Sequence, residues 1–197
     1  MNSTLADVTA VILAGGRGSR LGGQDKGLLD WNGKPLVETL IDQLQKQRLD
    51  IVINANRNQD RYCAYGYDVV CDELDDYQGP LAGFAAAMQA VRTAFVLILP
   101  CDSPKLAPDY AQRFIRQQSN KQASIVVASD GNRLQPVHAL IAVDLLPSLR
   151  QFLARGDRKI DRWYAECGYI EADFSDCVSM FRNINTPQDQ AMLAAQP

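Results

Sequence analysis

The residues with the clearest chemical potential lie in the stretch VILAGGRGSRLGGQDKGLL, which runs from Val11 to Leu29. Five glycines fall within the nine residues from Gly15 to Gly23. Glycine reaches positive φ and lets another molecule approach the backbone closely, and the loop also carries Arg17, Arg20 and Lys26. Backbone N–H groups and cationic side chains together bind phosphate oxygens. The loop is therefore predicted to be an anion-binding cradle, although a plain surface turn can have the same composition.

Two common phosphate-binding loops do not match this stretch. The sequence from Gly16 is GRGSRL, which lacks the last glycine of the dinucleotide fingerprint GxGxxG, and the later stretch IVINANRN offers Asn54 and Asn56 where that fold needs an acidic residue. The P-loop pattern GxxxxGK[ST] fails because the lysine stands between Asp25 and Gly27. Dinucleotide-dependent dehydrogenases and P-loop kinases are therefore disfavoured.

Composition limits the class of protein. A chain of 197 residues with 47% hydrophobic content can bury one stable core, so residues 1–197 are expected to form a single domain. The net charge of −3 disfavours a long nucleic-acid partner. Five scattered cysteines and an N-terminus without a long apolar run predict a cytoplasmic protein that does not use the membrane. A small anionic ligand fits this composition better than a polymer does.

Apolar runs alternate with helical repeats along the chain. The run VTAVIL over residues 8–13 is typical of a strand covered on both faces. Apolar residues at helical spacing follow Pro35, which suits the first turn of a helix. Further strands are predicted at IVINA, DVVCD, FVLILPCD, ASIVVAS and VHALIAV. Further helices are predicted at PLAGFAAAMQAV, near Pro108 to Gln117, around Leu145 to Ala154 and behind Thr186. The alternation predicts a three-layer α/β sandwich with a mostly parallel, mixed sheet.

The glycine-rich stretch also carries a family signature. LAGGRGSRLGGQDK resembles the N-terminal pattern LAGGxxxRMGGxDK of the molybdenum cofactor guanylyltransferases, with Leu21 in place of the usual methionine. The stretches KGLLDWNGKPL, INANRNQ, GPLAG, LPCDSP and NINTPQD agree with the family in order and spacing. The resemblance covers most of the chain and implies a Rossmann-like nucleotidyltransferase fold.

The resemblance also implies a reaction. Members of this family transfer GMP from GTP to the phosphate of molybdopterin and release pyrophosphate, with Mg²⁺ as the cofactor. The resemblance assigns GTP binding to the part of the chain up to about residue 105. It assigns the binding of molybdopterin, with or without molybdenum, to the remainder. Transient contacts with the molybdopterin-inserting enzyme and with apo-molybdoenzymes also follow from it. A molybdopterin cytidylyltransferase, a sugar-phosphate nucleotidyltransferase and a non-catalytic subunit that delivers the cofactor stay open as alternatives.

The family motifs point to particular positions of this sequence. Lys26, Arg20 and Asp102 are expected to support catalysis, and Asp102 is also expected to hold magnesium. Asp72 or a backbone carbonyl near the glycine-rich loop is expected to recognise guanine. The residues expected to contact the two substrates are Leu13, Ala14, Gly15, Gly16, Gly23, Lys26, Asn54, Asp72, Gly79, Gly83, Asp102, Asn183 and Asn185. Four of these residues fall just beyond a predicted strand, where open α/β sheets bind ligands, namely Gly15, Asn54, Asp72 and Asp102.

Several of these residues also have purely structural explanations. Asp102 could cap its loop, and Asn54 and Asp72 could be turn residues at strand ends. His138, the single histidine, lies in the apolar run VHALIA and is expected to be a core or rim residue rather than a catalyst. Cys101 is expected to pack beside the site, because it has no basic neighbour in sequence.

Overall fold

Nine strands and six α-helices form the fold in a computed structural model that describes residues 4–15, 24–72, 79–184 and 189. The strands are β1 (Val8–Leu13), β2 (Asp30–Trp31), β3 (Lys34–Pro35), β4 (Asp50–Asn54), β5 (Asp68–Val70), β6 (Phe95–Pro100), β7 (Ile125–Ser129), β8 (Leu134–Ala142) and β9 (Ile170–Asp173). The helices are α1 (Leu36–Lys46), α2 (Gln59–Cys63), α3 (Pro80–Ala90), α4 (Tyr110–Lys121), α5 (Leu146–Ala154) and α6 (Ile160–Cys167).

Seven strands form one mixed sheet in the order β5-β4-β1-β6-β8-β7-β9. Strand β1 lies in its interior, between β4 and β6 and parallel to both. Strand β8 runs antiparallel to β6 and β7, and β9 runs parallel to β7. The mostly parallel sheet and its mixed region are therefore confirmed. Strands β2 and β3 form a separate antiparallel pair.

Two hydrophobic cores cover the two faces of this sheet. Every side chain of β1 is buried, and the side chains alternate between the faces, as period-2 geometry requires. Val8, Ala10 and Ile12 pack in the core that contains buried residues of α1 and α4. Val11 and Leu13 pack in the core that contains α3, α5 and α6 residues. Helix, sheet and helix layers result, which confirms the α/β sandwich.

The amphipathic character of the helices follows from their sequences. Helix α1 buries five apolar residues at helical spacing, namely Leu36, Val37, Leu40, Ile41 and Leu44. Helix α3 is different, because eight consecutive residues from Leu81 to Met88 are buried. Its small alanines and Gly83 allow close approach both to the sheet and to α5. None of the helices in the described part of the chain has the length and apolar character needed to span a bilayer.

Several predicted boundaries are wrong in detail. Strand β6 ends at Pro100, before the last two residues of the predicted FVLILPCD, and β8 begins at Leu134, three residues before the predicted VHALIAV. Pro35 does not enter the first turn of α1, because it pairs with Asp30 as the last residue of β3 and precedes the helix as its N-cap. Strand β5 stops at Val70, since the predicted DVVCD strand leaves the sheet before Cys71. Helix α4 begins at Tyr110 and continues to Lys121, whereas the apolar pattern suggested Pro108 to Gln117.

Five short elements were not predicted, namely α2, α6, β2, β3 and β9. Helix α2 has five residues, and β9 has four, two of them acidic. Elements this short have little periodicity of their own and depend on tertiary packing. The closing helix predicted behind Thr186 lies outside the described residues, apart from the helical Asp189.

The topology brings many strand ends together. The carboxyl ends of β1, β4, β5 and β6 meet at one edge, because these strands are parallel. The amino end of β8 and the carboxyl ends of β7 and β9 reach the same edge through the antiparallel pairs. We call this the carboxyl edge. It is the edge at which open α/β sheets bind their ligands.

Candidate functional site

The strand ends of the carboxyl edge are in register. Leu13 pairs with both Asn54 and Pro100, and Asn54 pairs with Val70. The ladder continues beyond β1, where the Ala14 N–H donates to the Asn54 carbonyl at 2.8 Å. Asn54 is thus the last residue of its strand rather than a residue beyond it. The segments that follow these ends lie side by side.

Asp72 is held by two asparagine side chains. Asn54 Nδ2 donates to Asp72 Oδ1 at 3.0 Å, and Asn56 Nδ2 donates to Asp72 Oδ2 at 2.8 Å. The backbone N–H of Asp72 donates in return to Asn56 Oδ1 at 2.8 Å. A carboxylate has about four lone-pair sites, so Asp72 keeps acceptor capacity for a ligand. These bonds fix the direction of the Asp72 carboxylate.

Two glycines make room for the Asn54 amide. A Cβ atom on Gly83 would lie 2.5 Å from Asn54 Oδ1 and 3.1 Å from a methyl carbon of Leu13. A Cβ atom on Gly15 would lie 3.3 Å from both Asn54 Oδ1 and Asn56 Nδ2. Gly83 therefore packs α3 directly against the strand ends, and a side chain there would displace Asn54.

Lys26 and Asp102 form an ion pair at this edge. Lys26 Nζ donates to Asp102 Oδ2 at 2.9 Å, and the two side chains are 29% and 13% exposed. Lys26 begins a short 3₁₀ turn after the glycine-rich loop, and Asp102 lies two residues beyond β6. The fold thus joins two predicted residues that are 76 positions apart in sequence. A partly exposed cation and a carboxylate at a strand end can both contact a ligand.

Cys101 is buried beside this ion pair. Burial raises the pKa of its thiol, and the neighbouring Asp102 raises it further. The thiol stays protonated and packs in the core that contains α1 and α4 residues. The expectation that Cys101 is a packing residue is therefore confirmed.

The C-terminal segment returns to the Asp102 loop. The Ile184 N–H donates to the Asp102 carbonyl at 2.8 Å. Ser103 Oγ donates to Asn183 Oδ1 at 2.9 Å. Asn183 is exposed and lies beside the loop that carries Asp102. The structure thus brings Asn183 to the carboxyl edge, where the sequence placed it only by resemblance.

Helix α3 begins near the same edge. Its N-cap, Gly79, has φ of +86°, a left-handed value that favours glycine, and Pro80 occupies the first turn. The contact of Gly83 with the Asn54 amide places this first turn beside the strand ends. A helix N-terminus favours anions through its free N–H groups and its dipole.

Four predicted site residues lie outside the described residues, namely Gly16, Arg20, Gly23 and Asn185. Sequence reasoning missed Asn56, Asn58, Tyr62 and Ser103, which bond to predicted site residues or to their neighbours. Asn56 could have been found, since it stands two positions after Asn54 in the same motif. Tyr62 left no signal, because its partner Asp25 is distant in sequence.

His138 takes no part in the edge. It is buried, and burial lowers its pKa to about 3. The Tyr110 hydroxyl lies 3.0 Å from His138 Nδ1, and the ring of Phe181 packs edge-on against the imidazole. The expectation of a core histidine is confirmed.

Comparison with protein-family models and with curated relatives identifies the family of this chain. The family described as "MobA-like NTP transferase domain" matches residues 10–170. A "Molybdenum cofactor guanylyltransferase" of Vibrio cholerae is 48% identical over 190 residues, which cover 96% of this chain and 93% of that protein.

Solved structures share the fold. The "Molybdopterin-guanine dinucleotide biosynthesis protein A" of Archaeoglobus fulgidus superposes with a TM-score of 0.78 at 20% identity and covers 94% of this chain and 96% of its own. A Mycobacterium tuberculosis protein in complex with manganese superposes with a TM-score of 0.67 at 18% identity and covers 94% of this chain and 97% of its own.

Proposed function

The chain belongs to the MobA-like NTP transferase family and, within it, to the molybdenum cofactor guanylyltransferases, and from this premise we propose that it transfers GMP from GTP to molybdopterin. A phosphate oxygen of molybdopterin attacks the α-phosphorus of GTP, and the bond from that phosphorus to the pyrophosphate oxygen breaks. The products are molybdopterin guanine dinucleotide and pyrophosphate. Phosphoryl chemistry of this kind asks a protein mainly for positioning and charge stabilisation.

The observation that supports this proposal most strongly is the Lys26–Asp102 pair at the carboxyl edge. Lys26 supplies a positive charge that favours the negative charge growing on the leaving pyrophosphate. The backbone N–H groups of Gly15, Gly79 and Leu81 are assigned to the phosphates on the same edge, since Pro80 has no N–H and the Ala82 N–H is bonded to the Gly79 carbonyl. Arg20 joins them in the proposal as a second cation.

Guanine recognition is assigned to the Asp72 side of the edge. Guanine presents a ring N–H and an exocyclic amine side by side, and one carboxylate can accept both. Asp72 is suited to this role because Asn54 and Asn56 fix its direction while leaving it half-buried. Asn54 and Gly83 are assigned an indirect role, since Asn54 orients Asp72 and Gly83 leaves room for the Asn54 amide.

Asp102 is the residue assigned to the metal. Its carboxylate is a hard oxygen ligand just beyond a strand end, largely buried with 13% of the side chain exposed, which fits Mg²⁺ with waters and substrate phosphates as the remaining ligands. When bound, a divalent ion supplies charge neutralisation to the phosphates. Asp102 would then exchange the Lys26 contact for the ion, which frees Lys26 to reach a phosphate oxygen.

The acceptor is assigned to the Asn183 side of the edge. Asn183 is exposed beside Ser103, and the following Ile184 is bonded to the Asp102 backbone. A phosphate held there would lie at the β6 end of the first four strands, whereas Asp72 lies at the β5 end. Asn185, in the same motif, is proposed to share this contact. The part of the chain up to about residue 105 would thus bind GTP, and the remainder would bind molybdopterin.

A nucleotide panel tests the proposal. Molybdopterin and Mg²⁺ are mixed with the protein and with ATP, GTP, CTP or UTP in turn, and pyrophosphate release is measured. GTP is expected to give release well above the other three. Equal release with CTP would contradict the guanine assignment, and no release with any of the four would contradict the transfer itself.

A further inference from the structure

The loop between β4 and α2 contacts two separate parts of the nucleotide site. Its first residue beyond Ala55, Asn56, holds Asp72 as described. The next residue, Arg57, donates from Nη2 to the Gln24 carbonyl at 3.2 Å. The third, Asn58, donates from Nδ2 to Asp25 Oδ2 at 2.9 Å. One short segment therefore reaches both the Asp72 side and the segment that follows the glycine-rich loop.

Tyr62 of α2 holds the same carboxylate from inside the core. Its hydroxyl donates to Asp25 Oδ1 at 2.6 Å, and the residue is fully buried. Burial and the bond to Asp25 raise the pKa of this hydroxyl well above its ordinary value, so it stays a donor. A Cβ atom on Gly27 would lie 2.5 Å from the Tyr62 hydroxyl oxygen. The backbone after Asp25 thus passes directly over this hydroxyl, which only glycine permits.

These bonds fix the residue that precedes Lys26. Both carboxylate oxygens of Asp25 accept hydrogen bonds, and its carbonyl accepts the Leu28 N–H that closes the 3₁₀ turn. Lys26 is the first residue of this turn, and its ammonium group reaches Asp102. The position of the Lys26 backbone therefore depends on the anchoring of Asp25.

The backbone conformation of Asn58 suits its contact with Asp25. Its backbone is left-handed, with φ of +49°, a conformation that asparagine adopts more readily than most residues. The side chain that bonds Asp25 is thus presented by a backbone conformation that few other residues would tolerate.

We propose that Tyr62 and Asn58 are positioning residues for the transfer reaction, which hold Lys26 in place through the carboxylate of Asp25. The inference rests on the proposed function, because it assigns Lys26 a role at the pyrophosphate. Neither residue contacts the reacting atoms. Small displacements of a charged group from its working geometry reduce turnover strongly, by as much as about a hundredfold for 1 Å.

Turnover of Tyr62→Phe tests the inference. This variant keeps the buried ring and removes only the hydroxyl, so kcat for pyrophosphate release should fall about tenfold while the KM for GTP changes less than about threefold. Asn58→Gly keeps the left-handed backbone and removes the amide, and it should reduce kcat about threefold. The control is Tyr164→Phe, which removes another buried hydroxyl, bonded to the Pro136 carbonyl at 2.8 Å. It should lower Tm with unchanged kcat.

Coupling to Lys26 separates positioning from general stability. In a Lys26→Ala background, Tyr62→Phe should have no further effect on kcat, since the group it positions is gone. An undiminished effect in that background would overturn the inference, as would a Tyr62→Phe variant that loses stability like Tyr164→Phe but keeps full turnover. Asn58→Gly answers the same question if Tyr62→Phe does not fold.

A measurement without turnover keeps the inference distinct from the proposed function. The rate at which an amine-reactive acetylating reagent labels Lys26 is followed by mass spectrometry in the protein alone. Tyr62→Phe should raise this rate severalfold, while Tyr164→Phe should leave it unchanged. An unchanged rate in Tyr62→Phe would overturn the positioning role. If the wild-type protein released no pyrophosphate in the transfer assay, the proposed function would be contradicted. The comparison of the Lys26 labelling rates would still test the positioning role.

Discussion

The two halves of the carboxyl edge satisfy their polar groups in different ways. In the first half, built by β5, β4, β1 and β6, side chains bond to side chains of other elements, as in the Asn54–Asp72 and Lys26–Asp102 pairs. In the second half, built by β8, β7 and β9, Asp130 and Asp173 accept N–H groups of their own turns, while Asp130 also accepts Gln135 Nε2 and Asp176 pairs with Arg113 of α4. Asp130 accepts the N–H groups of Asn132 and Arg133.

The turns of the second half therefore stabilise the local chain. The backbone N–H groups of its turn lower the pKa of Asp130, and the Ser175 N–H lowers that of Asp173 in the same way. Such Asx turns stabilise the local chain and do not need a ligand. The aromatic cluster beneath this half, with Tyr110, Phe114 and Phe174, supplies apolar burial. Substitutions in the first half should thus affect GTP binding and turnover, and those at Asp130 and Phe174 in the second half should affect stability without changing GTP affinity.

The largest effect is expected at Asp102. Asp102→Asn keeps the volume and much of the hydrogen bonding but removes the charge, so kcat should fall about 10²–10³-fold while GTP affinity changes little. Steady-state kinetics and a GTP titration measure the two quantities. Asp130→Asn is the matched control in the second half, with a lower Tm and unchanged GTP affinity. Turnover of Asp102→Asn at the wild-type level would show that Asp102 only caps its loop.

A glycine substitution tests the packing under the first half. The new methyl group of Gly83→Ala would lie 2.5 Å from Asn54 Oδ1, so the Asn54 amide must shift and its bond to Asp72 must weaken. GTP affinity should fall about tenfold, which corresponds to the loss of about one good hydrogen bond. Gly66→Ala is the control, because its φ is +81° but no atom lies within 4 Å of the added carbon. It should lower Tm without changing GTP affinity, and equal affinity losses in both variants would refute the packing argument.

An aromatic substitution tests the second half. The Phe174 ring lies 5.3 Å from that of Phe114 and 5.7 Å from that of Tyr110, between ring centroids. Phe174→Leu keeps an apolar side chain but loses these contacts, so the free energy of unfolding should fall by about 1–1.5 kcal/mol. Urea denaturation measures this loss. GTP affinity should stay at the wild-type value, and a parallel loss of affinity would mean that the halves are not separable.

The smallest effect concerns pH. His138 is neutral in the folded state, where burial lowers its pKa to about 3, and it gains a proton near pH 6.5 once unfolded. The unfolded state then binds more protons, so stability is full above pH 6.5 and falls as the pH is lowered toward 3. Between pH 7.5 and pH 6.0 the loss should be about 0.8 kcal/mol. His138→Gln should lack this part of the pH dependence, and identical profiles for both proteins would contradict the buried neutral state.

The sequence predicted the parallel half of the fold well. The strand β1, the amphipathic α1 and the apolar β6 have strong periodicity or continuous apolar runs, which local sequence reveals. It did not predict α2, α6 and β9, since their stability comes from contacts with distant residues.

The candidate site likewise has features that the sequence predicts and features that it does not. The positions of Asp72 and Asp102 at strand ends could be predicted, because parallel strands end at one edge. The pairing of Lys26 with Asp102, and of Tyr62 with Asp25, could not, because each depends on how elements pack in three dimensions.

Amide hydrogen exchange with and without GTP and Mg²⁺ tests most directly the claim that the first half of the carboxyl edge is the nucleotide site. Peptides that cover residues 14–15, 55–58 and 71–72 should exchange more slowly when GTP and Mg²⁺ are present, because their backbone lies beside the bound nucleotide. Peptides that cover residues 130–135 should exchange at an unchanged rate, since this turn joins β7 and β8 and lies outside the proposed nucleotide site. Slower exchange in residues 130–135, with no change in the three other peptides, would contradict the account.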